Sequence, residues 1–112
     1  MITLEALRAY GADVDEGLSR CLGKEDFYLK MVNMGMQDAR FITLKAALES
    51  RDLQAAFEQA HALKGIVGNL SLTPLFTLIS ELTELLRNRT EADYLSLYDE
   101  IKAQYERLCA LA

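Results

Sequence analysis

Ser71-Leu72-Thr73-Pro74-Leu75-Phe76-Thr77-Leu78-Ile79-Ser80-Glu81-Leu82-Thr83-Glu84-Leu85-Leu86-Arg87-Asn88 carries the clearest structural signal in the chain. Its first four residues supply a break, a capping hydroxyl and a proline at the first helical position. Leu75, Leu78, Ile79, Leu82, Leu85 and Leu86 then recur at spacings of three and four, which places them on one face of a helix running to about Asn88.

The same period extends on both sides. Downstream, Thr90 with Asp93 three residues later resembles a capping box with Asp in place of Glu or Gln, and Tyr94, Leu97, Tyr98, Ile101, Tyr105 and Leu108 mark a last helix. Upstream, Asp52 is a candidate N-cap for a helix whose buried stripe is Leu53, Ala56, Ala60, Leu63, Val67 and Leu70. Before it, a long helical region spans Glu25 to Arg51, with Phe27, Met31, Met34, Phe41, Leu44 and Leu48 on its apolar side. Gly35 and Gln37-Asp38 are candidate points for a bend or break there. The three methionines Met31, Met34 and Met36 read as core filling. Two short pieces precede that region, Leu4 to Tyr10 ending at Gly11 and Asp15 to Leu22 stopped by Gly23.

Strand signals are almost absent, with one proline, no Asn-Gly or Asp-Gly turn and no sustained alternation. The expected fold is all-α, an antiparallel four-helix bundle with one or two short N-terminal covering helices. With 112 residues, no linker and no repeat, residues 1–112 are expected to form one domain. A composition that is 51% hydrophobic and 26% charged is globular, and no apolar run approaches the roughly 20 residues needed to cross a bilayer. Membrane insertion is not expected.

The net charge of −5 opposes binding to a phosphate backbone, so nucleic acid is not an expected partner. Cys21 and Cys109 lie far apart without metal-ligand spacing, and Met1-Ile2-Thr3-Leu4-Glu5 lacks the basic start and apolar stretch of a secretory signal. A reducing cytoplasm is the expected location, and a monomer the expected state.

Chemistry concentrates at the single histidine, in Ala60-His61-Ala62-Leu63-Lys64-Gly65. Phe57, Lys64, Gly65 and Gly68 lie four back, three on, four on and seven on, so helical spacing sets all of them beside the imidazole. His61 falls about 120° from the centre of the buried stripe, which turns it to solvent or a groove. An ordinary imidazole is largely neutral at cytoplasmic pH and can take a phosphoryl group onto an exposed ring nitrogen. The transferred group carries spread negative charge, for which the Lys64 ammonium is suitably near. Gly65 costs about 1 kcal/mol relative to Ala within a helix, and clearance for an incoming protein is a physical reason to keep it. Gly68, a turn further, would widen the same opening.

His61-Ala62-Leu63-Lys64-Gly65, followed by Gly68-Asn69-Leu70, resembles the His-x-x-Lys-Gly motif of the histidine-containing phosphotransfer (HPt) domains of bacterial phosphorelays. Asp13-Val14-Asp15-Glu16-Gly17-Leu18 leading to Phe27-Tyr28-Leu29 is similar to the family's entry segment. The resemblance implies a phosphoryl carrier, not an enzyme, in which His61 accepts the group from a receiver-domain aspartate and passes it to another receiver. Its implied partners are response-regulator receiver domains and a hybrid sensor histidine kinase. Phe57 and Gly68 are the candidate docking residues. No cofactor or metal of its own is implied, Mg²⁺ being expected on the partner receiver, and no Gly-rich phosphate loop or kinase signature is present.

Four positions depart from the family pattern. Ile66 and Val67 stand where small residues are usual, and Ile66 would demand local repacking. Ser71 replaces a common Gly at the helix connection. Thr83 occupies the position that often carries Gln or Glu to hydrogen-bond the other imidazole nitrogen, so a hydroxyl is expected to orient the ring less firmly. These departures motivate one alternative, a four-helix adaptor that binds receivers or other signalling proteins without being phosphorylated. A second, His61 as general base or metal ligand, lacks an evident second and third ligand.

Overall fold

The computed structural model describes residues 1–112 as seven helices with no strand. α1 (Leu4–Tyr10) and α2 (Val14–Arg20) are short; α3 (Glu25–Met36), α4 (Arg40–Glu49), α5 (Leu53–Asn69), α6 (Thr73–Arg87) and α7 (Tyr94–Cys109) are longer. α4 packs on α5, α5 on α6, α6 on α7 and α7 on α4, which closes a four-helix bundle. The short connections make successive members antiparallel. α1, α2 and α3 cover it, α1 and α3 both leaning on α7.

The predicted stripes build the core. Phe41, Leu44 and Leu48 of α4, Ala56, Ala60, Leu63 and Val67 of α5, Leu75, Ile79, Leu82 and Leu86 of α6, and Tyr94, Leu97, Tyr98, Ile101 and Leu108 of α7 are all buried. Each fully buried Leu or Ile among them contributes about 1.5–3 kcal/mol of transfer free energy. The covering helices join the same cluster through Leu7, Tyr10, Tyr28 and Val32, as does Ile2 just ahead of α1.

Of the two candidate break points in the region from Glu25 to Arg51, the helix breaks at Gln37–Ala39, while Gly35 lies inside α3. Breaking the helix resets its phase, so α3 buries Tyr28, Val32 and Met36 instead of Phe27 and Met34, which are 48% and 55% exposed. Of the three methionines expected in the core, only Met36 is fully inside; Met31 is half-buried. Tyr28 fixes this rotation, because its ring lies against Gly17, where an added Cβ would come within 2.4 Å, and its hydroxyl donates to the Leu70 carbonyl at 2.8 Å.

Helix starts differ too. Asp93, not Thr90, caps α7, accepting from the Ser96 amide at 3.0 Å. α6 begins at Thr73 with Leu72 as its cap residue and no side-chain cap; the Thr73 hydroxyl donates instead to the Ser71 carbonyl at 3.4 Å. Asp52 caps α5 as expected, accepting from the Ala55 amide at 3.1 Å. α2 starts at Val14 behind Asp13 and stops at Arg20, two residues short of the expected Leu22.

Burial pushes the Tyr10, Tyr28 and Tyr105 phenols up to about 12 from an ordinary 10.0. A folded-state pKa above the unfolded one contributes stability that is complete below the unfolded value and is lost as pH rises through the folded one. Alkaline titration followed by circular dichroism is therefore expected to show stability falling between pH about 10 and about 12. Tyr28→Phe should soften that fall, at the cost of leaving the Leu70 carbonyl without its phenol donor.

Candidate functional site

The α5 stripe determines where the histidine goes. With Ala56, Ala60, Leu63 and Val67 turned inward, His61 is exposed on the opposite arc, midway along the longest helix. Phe57, one turn earlier, stacks on the imidazole with ring centroids 5.7 Å apart and planes 18° from parallel. Lys64 is 30% exposed, and its Nζ lies 3.9 Å from Oε1 of Glu84 on α6.

The two glycines beside the ring turn out to be different. A Cβ built on Gly65 meets nothing within 4 Å, so packing makes no demand for glycine there. At Gly68 a Cβ would stand 3.0 Å from the Phe76 ring. Gly68 is therefore a seat for Phe76, and the expected widening of the opening at that point is corrected: the space is taken. His61, Lys64, Gly65, Gly68, Asn69 and Phe76 line one groove of about 450 Å³, closed at its far end by Glu16, Arg20, Ser71 and Thr73.

That far end is built by α2. Arg20 donates to the Gly68 carbonyl and, at 3.3 Å, to the Ser71 hydroxyl, and pairs with Glu16 at 3.0 Å. Ser71 donates to Glu16 at 2.9 Å. Ser71 has a φ of +56°, the left-handed region, which accounts for the glycine common at this position in the family it resembles. Here the hydroxyl network and the Asp13 amide, which donates to the Ser71 carbonyl at 2.9 Å, hold a serine in that conformation.

Ile66 packs against α3. It is partly buried, and a Cβ on Gly35 of α3 would stand 3.3 Å from it and 2.8 Å from Leu70. The missing side chain at Gly35 makes room for the larger one on α5. Val67 is fully buried in the core.

Thr83 is a correction. It is completely buried, and its hydroxyl donates to the Ile79 carbonyl at 2.7 Å. A side chain on the core face of α6, bonded to its own helix, does not orient an exposed ring on α5. The charged residues of α6 that reach the histidine's neighbours are Glu84, at Lys64, and Arg87, at Phe57. Arg87 Nε donates to the two Glu84 oxygens at 3.2 and 3.4 Å, and its guanidinium lies 5.0 Å from the Phe57 ring centroid. The only local signal for Glu84 in the sequence is its spacing of three from Arg87. Arg20 and Glu16 had none, because they reach the groove through tertiary packing alone.

No three His, Cys, Asp or Glu side chains gather as metal ligands, both cysteines are free, and no helix is long and apolar enough to cross a membrane. Searches of curated proteins and of solved structures returned no match. The family model of the Hpt domain matches residues 36–111, from the last residue of α3 to beyond the end of α7, leaving α1, α2 and nearly all of α3 outside it. With that match over more than half of its length, on a helical bundle, the chain belongs to the Hpt domain family, the histidine phosphotransfer modules of two-component phosphorelays.

Proposed function

We propose that His61 is the phosphoryl carrier, loaded from the aspartate of one receiver domain and unloaded onto the aspartate of another, the partners being response-regulator receivers and a hybrid sensor histidine kinase. The observation that carries this reading is an exposed imidazole lining a groove with a lysine beside it and open space at Gly65. The lone pair of Nε2 attacks phosphorus; the N–P bond forms as the P–O bond to the aspartate breaks, and the carboxylate leaves with the electron pair. The proton on the other ring nitrogen stays. The return step is the reverse, on a second receiver.

Lys64 offsets charge on the phosphoryl group, and Gly65 lets the receiver approach. Phe57, and the Phe76 ring seated on Gly68, offer apolar surface for docking. The receiver supplies the acidic cluster and Mg²⁺; this chain acts in the cytoplasm as one monomeric unit of residues 1–112, with no nucleotide site and no turnover of its own.

The test is transfer from a panel of phosphorylated receivers, read as acid-labile, base-stable label on this chain. Lys64→Ala is expected to slow the transfer about 10- to 100-fold while leaving some. A chain that binds receivers yet never gains label would establish the adaptor alternative.

A further inference from the structure

Four side chains beside the imidazole form a continuous chain of contacts. Phe57 stacks on His61, the Arg87 guanidinium lies over Phe57 at 5.0 Å, Arg87 holds both oxygens of Glu84, and Glu84 reaches Lys64 at 3.9 Å. One carboxylate thus faces two cations, and the distances rank them. Arg87 is the tight partner at 3.2 Å, whereas Lys64 sits at the edge of ion-pair range. All three are partly solvated, at 30% for Lys64, 46% for Arg87 and 50% for Glu84, so each contact is weak enough to exchange.

We propose that Arg87 is a positioning residue that acts through Glu84: it neutralises this carboxylate so that Lys64 is free to pair with a phosphoryl group on His61. The inference rests on the reading of His61 as carrier. A phosphoryl group brings about −1.5 to −2 charges next to Lys64. Without Arg87, Glu84 would keep Lys64 for itself and would also repel the arriving anion. With Arg87 in place, Glu84 stays compensated when Lys64 swings to the phosphate. Arg87 also presses on Phe57, which limits the tilt of the imidazole stacked on it.

The experiment is a double-mutant cycle read as the fraction of label on His61 at equilibrium with a fixed amount of phosphorylated receiver. Arg87→Gln is expected to lower the His61-to-receiver ratio about fivefold, and Glu84→Gln to raise it. In the Glu84→Gln background, Arg87→Gln should change the ratio less than about twofold, because the charge it compensates is gone. Arg87→Lys, which keeps the charge, should restore most of the ratio, and 1 M salt should shrink the Arg87→Gln effect. Equal effects of Arg87→Gln in both backgrounds, or none in either, would overturn the proposal. A wild-type chain that takes no label from any receiver brings down the carrier reading itself, and is recognised because the unmutated protein is then blank.

Discussion

His61→Gln is expected to fold like the parent and to accept no phosphoryl group from any receiver. The side chain is exposed on the outer arc of α5, and its loss removes only the stacking on Phe57, so the change in stability should stay within about 0.5 kcal/mol. Glutamine keeps polarity and helix compatibility but has no ring nitrogen with a free lone pair, so the N–P bond cannot form. Thermal melting by circular dichroism and the acid-labile label, measured on one preparation, separate the two effects. Retained label on this variant would remove His61 from its assigned role, since the chain holds no other histidine.

The second large effect is at Gly65. Since a Cβ there meets nothing, Gly65→Ala should raise stability by about 0.5–1 kcal/mol through helix propensity alone. Gly65→Leu should also fold, its side chain projecting beside the imidazole, where the proposed function has a receiver enter. Displacing the reacting atoms by about 1 Å is worth on the order of 100-fold in rate, and a loss of that order is expected for Leu, with a smaller one for Ala. A more stable protein that transfers more slowly is the signature of a glycine kept for access. Transfer at the parental rate in Gly65→Leu would mean that the partner approaches from another side.

The bundle was legible because its helices bury one face each, and a buried stripe writes its period directly into the chain. Leu75, Ile79, Leu82 and Leu86 are found where the spacing put them, and the stripe of α5 placed His61 outward by the same arithmetic. The buried face of α3 was misread because a candidate break at Gln37-Asp38 does not say by how much the helix phase shifts across it. Phe27 and Met34 continue the apolar pattern of α4 across Gln37–Ala39, but the residues that pack are those Tyr28 brings in, through a glycine on α2 and a carbonyl at the end of α5. Thr83 failed for a related reason: counting from His61 ignores the turn between α5 and α6, which decides whether a position faces the core or the ring. Lys64 and Gly65, on the histidine's own helix, needed no such knowledge. Glu84, Arg87 and Arg20 needed all of it.

The imidazole stands at the middle of a 17-residue helix whose reverse side is locked into the core. Core-packed helices are the elements expected to open last, so hydrogen exchange should find the amides around His61 among the slowest in the chain. On the proposed reading, a phosphoryl group on His61 would be read through the charge it adds beside Lys64 and through the surface it presents at the groove, with a firmly packed helix as its mount.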